Sequence, residues 1–260
     1  MIPVRLIARL DIKGPNVVKG VRLEGLRVVG KPGDFARRYY DQGADEILFV
    51  DIVASLYGRN NILDVVERTA REIFIPMTVG GGIRTLEDIG AALRAGADKV
   101  AINTAGIRRP ALLREAAERF GSQCIVLNLE AKRREPGRWE ALTDNGRETT
   151  GRDALAWVEE AQALGVGEIL VTSVDQEGTR KGFDVELVAE VRKRVRVPVI
   201  ACGGAGSAEH VIECIRATDV DAVSCASLLH YGIVPLPELK IRLAQSGIGV
   251  RPVPATATAA

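Results

Sequence analysis

The stretch "IPMTVGGGI" at 75–83 returns as "VPVIACGGA" at 197–205, 122 residues further on. The same offset relates "GADEIL" at 43–48 to "GVGEIL" at 165–170, and 123 residues separate "ADKVAINTA" at 97–105 from "VDAVSCASL" at 220–228. "LDIK" at 10–13 and "LEAK" at 129–132 lie 119 apart. Matches at nearly one offset mean that the chain is one block written twice, which few architectures accommodate.

Each copy alternates short apolar runs with amphipathic helical patterns. Strands are expected at 5–11, 46–52, 76–80, 98–102, 123–130, 168–172, 198–202 and 221–225. Between them lie segments such as "TLEDIGAALRAG" and "GRDALAWVEEAQALG", many closed by a glycine helix stop. Eight β-then-α units predict an α/β fold, a (β/α)8 TIM barrel of two half-barrels, about 1–120 and 121–246, forming a single domain over 1–246. An open doubly wound sheet would carry a glycine-rich dinucleotide loop after its first strand, and "LDIKGPN" has none. "DNG" within 131–150 predicts a hairpin inserted after the fifth strand. Residues 247–260, small and proline-bearing, read as a flexible, frayed tail.

Composition excludes several functions. The net charge of +1 offers no basic face for nucleic acid. No apolar run reaches the ~18–20 residues that span a bilayer. The opening "MIPVRLIARLDIKG" places charges inside its first strand, which predicts no secretory signal and a cytoplasmic protein. Cys124, Cys202, Cys214 and Cys225 form no CxxC pair and read as free thiols. His210 and His230 have no motif around them and receive no catalytic role. Neither a metal site nor a cofactor is expected, since the acids lack ligand clustering.

In such barrels the carboxyl ends of the strands form the active face. Asp11 and Glu130 are the repeat-matched ends of strands one and five, on opposite sides of the mouth. One protonated and one ionised, they would make an acid–base pair; unpaired with any substrate, they would simply cap loops or bind Lys13 and Lys132. "GGGIRTLEDI" at 80–89 and "CGGAGSAEHV" at 202–211 place glycines between a strand and a helix start, where backbone N–H groups and the helix amino end favour a phosphate. "INTAG" at 102–106 and "CASLL" at 225–229 end the next strands with small or hydroxyl residues. Two such sites, related by the repeat, point to a substrate phosphorylated at both ends. At the other pole, Arg5, Glu46, Lys99 and Glu168 begin strands one, two, four and six. If they face inward they ring the closed end as alternating charges. Thr172 lies on the same side of strand six as Glu168.

Taken together, "RLDIKGPNVVKG", "DEILFVDIVAS", "TVGGGI", "ADKVAINTA", "FGSQ", "GEILVTSVDQEGT" and "GGAG" resemble the cyclase subunit of imidazole glycerol phosphate synthase, from residue 1 to about 246. The resemblance implies a barrel that takes ammonia from a partner glutaminase along its axis. At the mouth, the ammonia would join a bisphosphorylated formimino-aminoimidazole carboxamide ribonucleotide. The implied products are imidazole glycerol phosphate and aminoimidazole carboxamide ribonucleotide, in histidine biosynthesis. It further implies Asp11 and Glu130 as the catalytic carboxylates, with Asp11 expected as general base and Glu130 as general acid, and Lys19 as a loop-one lid contact. Phosphate contacts are implied at Gly82, Asn103 and Thr104 on one side, and at Glu177, Gly178, Gly204, Ala226 and Ser227 on the other, with Thr172 among the substrate-binding residues. Arg5, Glu46, Lys99 and Glu168 become an ammonia gate, and Asp98 faces the glutaminase, which docks at the amino-terminal end of the barrel.

Four residues depart from the family pattern: Glu130 and Glu177 replace aspartates, Cys202 a serine and Arg9 a cysteine. Arg9 in the mouth is expected to favour the ionised forms of both Asp11 and Glu130, which would weaken a general acid. These departures leave an alternative: a paralogue that activates a glutaminase and passes ammonia to a separate sugar amidotransferase in surface-polysaccharide biosynthesis.

Overall fold

In the computed structural model, which describes residues 2–54 and 62–253, the strands close on themselves. The first, β1 (Arg5–Lys13), pairs in parallel with β4 (Glu46–Asp51), which continues through β5 (Met77–Gly80), β6 (Lys99–Ile102) and β7 (Ile125–Glu135). From β7 the order runs through β10 (Glu168–Ser173), β11 (Val199–Cys202) and β12 (Ala222–Cys225) back to β1. This is the expected eight-stranded parallel barrel.

Alternation along each strand divides the interior. Leu6, Ala8 and Leu10 of β1 point outward into the large core beneath the helices, while Ile7 joins Leu48, Val126, Leu170, Ile200 and Ala222 in a second cluster that lines the bore. Strands buried on both faces need near-continuous apolar runs, which is why strict alternation is absent from the sequence. The helices show local signals: Pro32 opens Pro32–Asp41, a Thr85–Asp88 capping box opens Leu86–Arg94, and Asp153 caps Ala154–Ala163.

Each half carries an insertion after its first strand. Behind β7 come β8 (Arg138–Thr143) and β9 (Glu148–Asp153), the hairpin that "DNG" predicts, with Asp144, Asn145 and Gly146 all at positive φ. Behind β1 comes a second hairpin, β2 (Asn16–Val21) with β3 (Glu24–Gly30), which the sequence does not announce. Its turn is Arg22–Leu23, at φ +52° and +63°, where Asn-Gly would normally sit. Tertiary packing compensates: Leu23 is buried against Leu142 and Val174, and the Arg22 N–H donates to the Glu177 carbonyl at 2.7 Å.

The terminal segment needs a correction. Ile248 is buried, and the Gly249 carbonyl accepts from Val4 N–H at 2.8 Å, so residues 247–250 are packed against the barrel rather than frayed. Arg251 and Pro252 are exposed, and residues 254–260 of the expected tail lie outside the described residues. Nearby, Lys240 of the last helix (Leu236–Gln245) donates to Asp45 at 2.9 Å, and Asp45 also accepts from Leu6 N–H at 2.8 Å. Both charges are buried. Lys240→Met leaves Asp45 only the exposed Arg251, whose Nε lies 3.7 Å from the same oxygen, and should cost up to about 3–5 kcal/mol of unfolding free energy. Denaturant titration checks this; a loss below about 1 kcal/mol would mean that the pair does not tie the last helix to β1.

Candidate active site

Four charged side chains meet at the carboxyl end of the barrel, all buried. Asp11, near the end of β1, accepts Arg9 Nε on Oδ1 at 2.8 Å and Lys19 Nζ on Oδ2 at 2.8 Å. Lys19, from β2, also binds Glu177 in the loop after β10. Arg9 Nη1 reaches Thr172 Oγ1 at 3.1 Å and Cys202 Sγ at 3.3 Å. Burial alone would raise the Asp11 carboxyl; the positive charges of Arg9 and Lys19, with their hydrogen bonds, outweigh it and hold the group well below the usual carboxylate range.

Glu130 stands outside this network. Its Oε2 accepts from Asn103 Nδ2 at 2.8 Å and from the Gly146 N–H, at the tip of the β8–β9 hairpin, at 2.8 Å. Burial dominates and pushes its carboxyl up from 4.5 to about 7, against Arg9 and the two hydrogen bonds and with help from the Asp11 charge. The expectation that Arg9 ionises both acids is therefore half corrected. Arg9 commits its Nε to Asp11, and Glu130 keeps its proton near neutrality.

Two pockets flank the acids. Gly81, Gly82, Asn103, Thr104, Asn128 and Glu130 are among the residues lining a cavity of 270 Å³, with Arg84, Arg108 and Arg109 at its edge. The repeat-related pocket, lined by Glu177, Gly178, Gly204, Ala226 and Ser227 among others, holds only about 10 Å³. Gly178, at φ +72°, packs against the Gly20 carbonyl of the first hairpin, where any Cβ would collide. The helix ends expected to face the phosphates are partly taken. Thr85 and Ser207 cap the helices that follow the glycine runs. The short helices Thr104–Arg108 and Ser227–His230 start without a side-chain cap, leaving their first N–H groups for a ligand.

At the opposite pole the predicted ring is closed. Arg5 binds both Glu46, at 3.0 Å, and Glu168; Lys99 binds Glu46 at 2.8 Å and Glu168 at 2.7 Å. The apolar bore cluster lies between ring and mouth. Asp98 is exposed at this end, with one oxygen accepting Met77 N–H at 2.8 Å.

The fold thus brings Asp11, Lys19, Thr172 and Glu177 into one buried cluster with Arg9. It gathers Gly82, Asn103, Thr104 and Glu130 at one pocket, and Gly178, Gly204, Ala226 and Ser227 at the other. Sequence reasoning missed Gly146, Asn128 and the three arginines at the first pocket; "GGGIR" and "GIRR" carried the arginine signal, beside the glycines and the short helix. Burial, chiefly, lowers His230 to about 3, and its Nδ1 lies 2.7 Å from the Tyr39 hydroxyl. Among the described residues no cluster of His, Cys, Asp and Glu could hold a metal ion, and no helix is long and apolar enough to cross a membrane.

A closed (β/α)8 barrel with two unlike carboxyls between repeat-related pockets defines an enzyme architecture with its chemistry at the carboxyl-terminal rim. The profile of the family described as "Histidine biosynthesis protein" matches residues 5–235. The chain is 62% identical over 209 residues to the imidazole glycerol phosphate synthase subunit HisF of Legionella pneumophila, covering 80% of this chain and 99% of that protein. Proteins of the same name from Myxococcus xanthus (strain DK1622) and Bacillus cereus (strain Q1) are 50% and 49% identical over 251 residues, 96% of this chain and 99% and 100% of theirs. The chain belongs to the histidine biosynthesis protein family.

A carboxyl held up in the folded chain binds more protons than in the unfolded chain between about 4.5 and 7. Its contribution to stability is whole at the acid end and is lost as pH rises through 7. The melting temperature of Glu130→Gln relative to the parent should therefore climb between about pH 5 and 8. A flat difference across that range would place the titration elsewhere.

Proposed function

We propose that this chain is the cyclase subunit of imidazole glycerol phosphate synthase, an enzyme of histidine biosynthesis. It uses ammonia from a partner glutaminase to convert the bisphosphorylated formimino-aminoimidazole carboxamide ribonucleotide to imidazole glycerol phosphate and aminoimidazole carboxamide ribonucleotide. The observation that carries the reading is likeness along nearly the whole chain to three proteins of that name. All three names speak for a cyclase rather than for the sugar-amidotransferase conduit.

The geometry supplies roles. The substrate lies across the mouth, one phosphate on the N–H groups of Gly82 and Thr104, the other on those of Gly178, Gly204 and Ser227. Asn103 orients Glu130, Thr172 orients Arg9, and the Ala226 backbone shapes the second pocket. Glu130, protonated near neutral pH, is the general acid that hands its proton to the departing aminoimidazole nitrogen. Asp11 is too firmly held as an anion to be an effective base. It accepts the N–H of the incoming amine and steadies positive charge as the carbon–nitrogen bond forms. Lys19 exchanges Glu177 for a substrate phosphate oxygen.

Ammonia enters at the opposite pole through Arg5, Glu46, Lys99 and Glu168, which open for it and otherwise stay paired. Beyond them, an apolar layer admits a neutral molecule and rejects ammonium, since an isolated ion there would lose its hydration. The glutaminase docks on this amino-terminal face, where Ile2 and Phe74 are 89% and 80% exposed and Asp98 adds a charge. Such exposed apolar side chains suit a protein partner. A cytoplasmic location accords with the free thiols.

With the ribonucleotide and ammonium at alkaline pH, the isolated chain should turn over; a folded sample that does not, yet stimulates a glutaminase, would overturn the cyclase reading. Glu130→Asp keeps a carboxyl and should retain or raise kcat. Glu130→Gln should lower it by about 10²–10⁴. Loss of function in the aspartate variant would assign Glu130 to different chemistry.

A further inference from the structure

Arg9 holds a donor that the site leaves idle. Its guanidinium is wholly buried, Nε donates to Asp11 Oδ1, Nη1 serves Thr172 and Cys202, and Nη2 has no partner among the described residues. Nε and Nη2 share one edge of the planar group, spaced to meet both oxygens of a single carboxylate. Asp11 fills half of that fork because its Oδ2 is taken by Lys19. A buried donor left unpaired is unfavourable, so the arrangement with Lys19 in place is under-satisfied on the Arg9 side. Lys19 is also the one member of the cluster carried by the inserted β2–β3 hairpin, whereas Arg9 and Asp11 are fixed on barrel strand β1.

We infer that Arg9 is a positioning residue for Asp11: when Lys19 is drawn toward a bound anion, Nη2 takes the oxygen that Lys19 releases, and the pair closes into a two-point fork. This rests on the reading of Asp11 as a working group of the mouth. Around the cluster stand Lys19 from β2, Glu130 from β7, Glu177 after β10, Cys202 from β11 and His230 after β12. Of these, Lys19 is the cation that can leave, Glu130 and Glu177 are acids, and burial keeps Cys202 and His230 neutral. Arg9 is then the charge that remains to hold Asp11 as an oriented anion. A cysteine or serine at position 9 could not do so.

The test follows the Asp11 carboxyl carbon by ¹³C NMR in the full chain, assigned by its disappearance in Asp11→Asn. In Lys19→Met, Asp11 should still titrate below the ordinary aspartate midpoint of about 4, because the fork replaces the lost ammonium. In Lys19→Met with Arg9→Lys, which keeps charge but has no fork, the midpoint should rise further, by about one pH unit or more. If Lys19→Met alone moves the midpoint to about 4 or above, Arg9 does not take over and the inference fails. Should the Arg9 variant not fold by circular dichroism, the single Lys19 variant still decides. Turnover of the ribonucleotide with ammonium is measured in parallel. An inactive parent would sink the cyclase reading, while the NMR midpoint would still decide for or against the fork.

Discussion

The mouth of this barrel is organised by a buried chain of charge in which Arg9, Asp11, Lys19 and Glu177 alternate in sign. Removing each ion from water costs several kcal/mol, and only close pairing with further hydrogen bonds offsets that. Two cations and two anions balance, so the cluster is neutral as a unit although each member is isolated from solvent. The hairpin supplies Lys19, the strand supplies Arg9 and Asp11, and the loop after β10 supplies Glu177. Three separate pieces of backbone are therefore tied at one point. Glu130 forms no hydrogen bond or ion pair with these groups, and its burial outweighs the Arg9 charge and favours its protonated form. The different protonation of the two repeat-matched acids follows from who sits beside them.

The ring at the other pole uses the same arithmetic with a different result. Arg5 and Lys99 each serve both Glu46 and Glu168, and the two cations keep partial access to solvent. Its members come from four strands and close the bore without filling it. The layer of Ile7, Leu48, Val126, Leu170 and Ile200 then separates two charged ends by apolar side chains. An ion entering that layer would lose its hydration without gaining a partner, whereas a small neutral amine would not. On the function proposed above, selectivity for ammonia over ammonium would be a property of the middle of the barrel as much as of the ring.

The repeat made the eight-unit barrel, the inward faces of the ring residues and the pairing of Asp11 with Glu130 legible from sequence, because each depends on strand period and offset alone. The first hairpin was not legible. Its turn uses Arg22 and Leu23, residues that disfavour positive φ, and is held by contacts with Leu142, Val174 and Glu177 that lie more than a hundred residues away. The partner of Arg9 was equally hidden. A cation two residues before an acid on one strand lies on the same face, but whether it leans to Asp11 or across to Glu130 depends on Thr172 and Cys202 holding its far nitrogen. The state of Glu130 was misjudged for the same reason, since burial is a sum over the whole fold and outweighed a single nearby charge.

The two halves share a design yet differ where their insertions fall. In the second half, the hairpin tip delivers the Gly146 N–H to Glu130 and leaves the neighbouring pocket open. In the first, the hairpin lays Lys19 on Glu177 and Gly20 against Gly178, and the pocket beside them is nearly filled. Equal backbone cradles therefore present unequal sites to a molecule with two anionic ends. The open pocket can be occupied with little rearrangement. The closed one has Glu177 in its lining and must open for an anion; on the reading proposed above, Lys19 leaves Glu177 for that anion and loosens its hold on Asp11. On that reading, filling the second pocket and changing the surroundings of the acid on β1 are one event, and the ligand itself would set the electrostatics under which the mouth works.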